Sequence, residues 1–228
     1  MKTIGLIGGM SWESTAHYYR ILNEETCRRL GGFHSAPILL QSLDFAPIEE
    51  LQRAGKWNEA GAILAASAKR LEAAGAGVIG LATNTMHIVA GQVMEMIGVP
   101  FVHIADPTAE ALIAKELRQV GLLGTRFTME MSFYKDRLKA HGLDVLVPDE
   151  EGPALNAVIY DELCHGIVRD ASRQIFVKSI QRLAERGAQA VILGCTEIGM
   201  LIDETSSPLP VFDTTDLHAK ALVAAALA

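Results

Sequence analysis

Clusters of basic residues are missing from this sequence. Its 20 lysines and arginines are outnumbered by 27 aspartates and glutamates, the formal net charge is -7, and both signs are scattered along the chain. That balance removes the electrostatic pull of phosphate backbones and anionic lipids, so neither a nucleic acid nor a membrane is expected as a partner. Cysteine is scarce as well. Cys27, Cys164 and Cys195 are an odd number without the paired spacing of a zinc site, which argues against both a disulfide framework and a metal site and favours a reducing compartment. His103, His165 and His218 likewise show no ligand spacing. No run reaches about 18 uninterrupted apolar residues, and the opening M-K-T-I-G-L-I-G-G-M lacks a cleavage motif, so a cytoplasmic location is expected.

What the chain does have is apolar material, half of its 228 residues, enough for one large domain or two of roughly 100 residues. Strand-like and helix-like stretches alternate along the first half. Residues 3–7 form an apolar run ending in Gly8-Gly9-Met10, and the polar stretch 11–15 offers caps for a helix to about Leu30, where Gly31-Gly32 stop it. Residues 38–43 read as a second strand, 47–53 as a short helix and 57–74 as a longer one. A third strand spans 75–82. The T-N-T-M-H stretch at 83–87 marks the next strand-to-helix turn, the helix runs to about Ile97, residues 99–104 give a fourth strand, and Asp106-Pro107 starts another helix.

The second half repeats this plan. G-L-I-G-G-M at 5–10 is answered by G-L-L-G-T-R at 121–126, and G-A-G-V-I-G-L-A-T-N-T from Gly75 matches G-A-Q-A-V-I-L-G-C-T-E from Gly187 without a gap, which sets Thr83 opposite Cys195. V-P-F-V-H from Val99 answers L-P-V-F-D from Leu209. Three matched segments in one order imply duplication. The expected fold is α/β, with two pseudo-symmetric lobes, each a mostly parallel sheet flanked by helices, and a cleft between them. The first lobe covers residues 1–105 and the second 106–213, with a C-terminal helix at 214–228 that has no counterpart in the repeat and is expected to pack back on the first lobe.

Cys195 lies in V-I-L-G-C-T-E-I-G at 191–199, where a branched apolar strand ends and Gly194 is expected to let the backbone turn. In an open α/β sheet that end faces the ligand crevice, and a following helix would lower a thiol pKa and favour a bound carboxylate. The bland alternative is a small buried hydrophobe. The repeat favours a reactive group, because inverting a carbon centre needs one group to take a proton from one face and another to deliver one to the opposite face.

The G-L-I-G-G-M, T-N-T-M-H and G-C-T-E motifs, in this order and spacing, resemble those of the aspartate/glutamate racemase family over essentially the whole chain. The resemblance implies a homodimeric, pyridoxal-independent enzyme with no cofactor, acting on a small-molecule amino acid, with catalytic groups on either side of the substrate's α-carbon. It makes Cys195 and Thr83 the catalytic pair.

The family usually has C-N-T where this chain has T-N-T, and the difference is chemical. A cysteine is about 3% thiolate at pH 7, whereas a threonine hydroxyl is hardly ever ionised. Thr83 needs help from His87 one helical turn onward, from a water, or from the substrate, and it also suits a helix cap. Asn84, Thr85 and Thr196 could offer donors to a carboxylate. Glu197 would oppose thiolate formation if close, so it either points away or joins a proton relay. Met10 matches the family's cleft wall or is ordinary core, and Gln52 and Thr125 are further substrate-binding candidates. Cys27 and Cys164 are read as packing residues.

Relatives that act on acidic amino acids resemble one another in an arginine after the second strand and a lysine in the second lobe. Around those places this chain reads P-I-E-E-L-Q-R at 47–53 and I-Y-D-E-L-C-H-G at 159–166, so the lysine is absent and only Arg53 remains. The expected activity is amino-acid racemisation by α-proton exchange on aspartate, glutamate or a broader, polar neutral range. The alternatives are a single-cysteine decarboxylase of malonate type and a non-catalytic two-lobed binder.

Overall fold

A computed structural model describes all of residues 1–228. The first half runs β1 (Ile4–Gly8), α1 (Trp12–Leu30), β2 (Ile38–Ser42), α2 (Phe45–Arg53), α3 (Trp57–Ala73), β3 (Val78–Leu81), α4 (Ala90–Glu95) and β4 (Phe101–Val102). The second runs α5 (Ala105–Ala114), β5 (Gln119–Gly124), α6 (Arg126–Glu130), α7 (Ser132–Ala140), β6 (Asp144–Leu146), α8 (Gly152–Asp161), α9 (Asp170–Glu185), β7 (Ala190–Gly194), β8 (Val211–Asp213) and α10 (Thr214–Leu227). Every strand pair is parallel, as strands joined through helices require.

The two sheets share one topology. Their orders are β2-β1-β3-β4 and β6-β5-β7-β8, so each reverses direction between its first and third strands. The register repeats too: Ile7 stands opposite Leu81 in one sheet and Leu123 opposite Leu193 in the other, which makes Thr83 and Cys195 equivalent, each two residues past that rung. By contacts the chain falls into two compact units, Met1–Ile104 with His218–Ala228, and Ala105–Leu217.

In the first unit, side chains alternate across β1. Ile7 joins Ile48, Leu64, Ile79 and Leu81 on one face, while Ile4 and Leu6 meet Tyr18, Leu22, Leu222 and Val223 on the other. The C-terminal part of α10 therefore covers the same face as α1. Gly80 is what admits it, because a Cβ there would lie 2.6 Å from Leu222 Cδ1. The second unit has its own core around Leu123, Ile159, Phe176, Ile180, Val191 and Leu193.

Three local expectations are corrected. The turn expected after β3 is present as a tight 3₁₀ turn, Thr85–Val89, but the helix that follows it, α4, is a short one in place of a long run to about Ile97. The reason is that the His87 ring takes the Thr83 carbonyl, so the His87 amide bonds Asn84 instead, at i→i+3 spacing. β4 pairs over only two residues rather than 99–104, because histidine side chains engage the Val102 carbonyl and the Ile104 amide. Gly194, finally, does not make the turn. It is the last residue of β7, and it is needed because a Cβ would sit 2.8 Å from the Leu123 carbonyl oxygen.

Candidate active site

Open parallel sheets gather ligand groups at the carboxyl ends of their strands, where the strand order reverses. In the second unit that place lies between β5 and β7, and it holds Thr125 and Cys195. Thr125 caps α6, its hydroxyl oxygen accepting from the Thr128 amide at 3.4 Å. Cys195 is 7% exposed. Its thiol donates to Glu197 Oε2 at 2.9 Å, and the Thr196 hydroxyl donates to the same oxygen at 2.8 Å. One buried carboxylate thus collects both polar side chains of the turn.

This geometry decides one open question and overturns one expectation. Of the two readings of Glu197, the carboxylate takes the one beside the thiol, as a proton relay requires; and no helix N-terminus lies behind Cys195, since only the three-residue turn Ile198–Met200 follows. The thiol pKa is accordingly driven up, first by burial and then by the negative charge of Glu197, with Cys164 adding to the effect. Cys164 packs against the same core, and burial raises its pKa too. The resting pair is therefore a thiol hydrogen-bonded to a carboxylate. Proton loss from the sulfur to that carboxylate gives a base, and the reverse step restores an acid.

In the first unit the corresponding place lies between β1 and β3. The sharp bend after β1 is made at Gly9, whose φ of 91° lies in the left-handed region and where a Cβ would overlap the backbone of Leu43. Its amide is held by Thr15 Oγ1 at 2.8 Å, and Ser11 caps α1. Thr83, Asn84 and Thr85 follow β3, all buried, with Thr83 7% exposed. Gln52, on the inner face of α2, donates to Met86 Sδ at 3.0 Å and so ties that helix to the turn.

Other expectations in this unit change. The turn has no side-chain cap, and its flanking residue is Asn84, so Thr83 is not a helix cap. His87 is not a proton relay for the Thr83 hydroxyl: its Nδ1 lies 2.7 Å from the Thr83 carbonyl oxygen and its Nε2 3.2 Å from the Ile104 amide. A carbonyl only accepts and an amide only donates, so both ring nitrogens are committed to backbone. Met10 is buried and packed with Ile48 and Met86. Arg53 turns outward, its side chain 74% exposed, and pairs with Glu49. Buried charged side chains include Glu25 and Glu197, but no lysine or arginine. Glu25 serves structure, because Arg28 and Arg29 hold its pKa down to about 2.

No sequence pattern announces the aromatic cluster beside this turn. His103 and His218 each meet the His87 ring edge to face, and Tyr18 meets His218 in the same way, joining residues far apart in the chain. Their spacing carries no motif, and no group of three or more His, Cys, Asp or Glu side chains is placed to hold a metal ion.

The duplicated parallel units are matched in known proteins. A Yersinia pestis crystal structure named for the Asp/Glu racemases superposes over 100% of both chains with a TM-score of 0.92 and 47% identity. An aspartate racemase homologue from Pyrococcus horikoshii OT3 does so over 100% of both chains at 0.86 and 35%. The broad specificity amino-acid racemase RacX of Bacillus subtilis (strain 168) is 28% identical over 163 residues, 71% of this chain and 70% of that one. Fold and relatives together define an enzyme of the racemase class of isomerases. Within that class, the chain belongs to the Asp/Glu/Hydantoin racemase family, whose sequence pattern matches residues 7–222.

Proposed function

We propose that this protein racemises a free amino acid by exchanging its α-proton without a cofactor, Cys195 serving one face of the α-carbon and Thr83 the other. The observation that carries this reading is the buried Cys195–Glu197 hydrogen bond at the strand end equivalent to Thr83. A thiol with an adjacent carboxylate is an acid/base pair: the carboxylate takes the sulfur's proton, and the thiolate then removes the α-proton. Delivery of a proton from the Thr83 side to the opposite face completes inversion. Asn84, Thr85, Gln52 and Thr125 supply neutral donors for the substrate's α-carboxylate and side chain, and Thr196, its hydroxyl proton given to Glu197, supplies its backbone amide.

Substrate class follows from charge. A side-chain carboxylate taken out of water needs a cationic partner, and hydrogen bonds to a charged donor contribute roughly twice what neutral ones do. Arg53 is exposed and neutralised by Glu49, and no buried lysine or arginine replaces it. Polar neutral or variable side chains therefore suit the protein better than aspartate or glutamate. The broad specificity named for the Bacillus subtilis relative supports the same reading. A homodimer working in the cytoplasm completes the proposal, in keeping with the family resemblance.

The test is to incubate the protein separately with single L- and D-amino acids, acidic and neutral, and follow enantiomeric composition by chiral chromatography. Approach to an equal mixture from either side is expected, fastest with polar neutral side chains. Because the equilibrium constant is unity, kcat/KM must match in the two directions. A drift to an unequal mixture, or no conversion of any amino acid, refutes racemisation.

A further inference from the structure

Three imidazoles share one buried place in the first unit. The His87 ring lies 4.6 Å from His103 and 5.9 Å from His218, centre to centre, and 5.7 Å from Phe101. The hydrogen bonds of two of them decide their protonation. His87 must carry its proton on Nδ1, because the Thr83 carbonyl can only accept there, and must keep a lone pair on Nε2, because the Ile104 amide can only donate. Its ring is therefore neutral. His218 donates from Nε2 to the Val102 carbonyl at 2.8 Å, and its Nδ1 lies 2.8 Å from the hydroxyl of Tyr18, a fully buried side chain of α1.

These bonds grip one strand end at two nearby points, the carbonyl of Val102 and the amide of Ile104. Ile104 is the last residue of the first unit before the chain leaves it, and His218 is the first on its return. A single ring thus joins the backbone of Thr83 to this crossing point. Threonine is branched at Cβ, so fixing its backbone goes far toward fixing its hydroxyl. A hydroxyl is a poor acid and a poor base, and it depends on placement more than a thiol does.

We propose that His87 is a positioning residue for Thr83, holding the Thr83 carbonyl to the Ile104 amide so that the hydroxyl is presented in one direction, with His218 and Tyr18 clamping the same strand end. This rests on the reading that Thr83 serves one face of the substrate. The groups that face His87 are His103 from the β4 side and His218 from α10, with Tyr18 beyond it from α1, and the two histidines oppose a positive charge on the ring. Burial acts in the same direction and is the larger influence.

Two substitutions separate the ring's two bonds. In His87→Asn the side-chain NH₂ replaces Nδ1–H and still reaches the Thr83 carbonyl, but the acceptor for Ile104 is lost. In His87→Gln the amide oxygen reaches the Nε2 position and accepts from Ile104, but the donor to Thr83 is lost. His87→Gln is expected to slow inversion by ~10²-fold, the loss that accompanies misplacement of a reacting group by about 1 Å. The enantiomer deprotonated from the Cys195 side should meanwhile go on exchanging its α-proton for solvent deuterium with retained configuration. His87→Asn keeps the bond to Thr83 but loses its anchor at Ile104, and should fall between wild type and His87→Gln.

Equal loss of exchange from both faces in His87→Gln, or unchanged inversion, overturns the inference. Should that variant fail to fold, ¹⁵N spectra of the wild-type histidines decide the matter: a neutral Nδ1–H ring at His87 supports it, and a ring protonated on Nε2 or titrating near pH 6.5 overturns it. Wild-type protein that exchanges no amino-acid α-proton refutes the racemase reading and this one with it. Exchange by the wild type with His87→Gln behaving alike refutes only this one.

Discussion

After β3 the chain makes its turn around an imidazole; after β7 it makes the equivalent turn around a carboxylate. The strands, their order and their register are the same in the two units, so the difference lies in a few side chains. Counting from Thr83 and Cys195, Glu197 stands where the first unit has Thr85, and Gly199 where it has His87. In the second unit the reacting group has a proton partner of its own at 2.9 Å. In the first the neighbouring ring is spent wholly on backbone. Duplication preserved the location of the groups and let their chemistry diverge: one turn supplies acid/base strength, the other supplies placement.

Putting a hydroxyl in both turns should cost the most. Cys195→Ser puts a hydroxyl in both, and racemisation is expected to fall by ~10³-fold, within the range that a lost general acid/base brings; initial rates with saturating substrate would measure it. A fall under tenfold would show that the thiol is not the stronger partner.

Removing only the carboxylate separates the thiol from its proton partner. Glu197→Gln should reduce the rate by ~10²-fold. It should also lower the Cys195 pKa, since the negative charge that opposes thiolate formation is gone, and the pH midpoint of Cys195 alkylation would report this. A midpoint that moved upward would contradict the electrostatic account. In the opposite sense, Thr83→Cys gives the first turn a titratable group, and a rate gain of about tenfold at pH 8 to 9 is expected. The pH–rate profile checks it.

Smaller effects concern stability. His87 stays neutral in the folded protein while its unfolded counterpart takes up a proton below about pH 6.5, so the folded state should lose about 1.4 kcal/mol per pH unit on acidification past that point. The sign follows because the unfolded chain binds the extra proton. Denaturant titrations from pH 7 to 5 should show this slope in the wild type and a shallower one in His87→Asn. Least of all, Met10→Leu should cost under ~1.5 kcal/mol in denaturant titrations, because the swap nearly conserves the volume packed against Ile48 and Met86.

The duplication and the place of Cys195 were legible because they rest on local signals: branched apolar runs, the glycines that end them, and a gapless repeat. Glu197 was legible as a neighbour of Cys195, though its direction depends on a turn too short to have a helical period. The histidine cluster was not legible at all. His218 bonds Val102 across 116 positions and Tyr18 across 200, and no periodicity encodes a contact between chain segments so distant. The same cluster explains why β4 is shorter and the turn after β3 tighter than residue propensity suggests, since side chains there take over backbone bonds.

The central claim is that Cys195 and Thr83 act as unequal partners in one proton-transfer reaction. Its most direct test follows the α-proton of each enantiomer of a polar neutral amino acid in deuterated water, with wild type, Cys195→Ala and Thr83→Ala. The account predicts that the wild type exchanges and inverts both enantiomers, that Cys195→Ala does neither, and that Thr83→Ala exchanges one enantiomer with retention while inverting almost none. Exchange that survives in Cys195→Ala, or inversion that survives undiminished in Thr83→Ala, would contradict it.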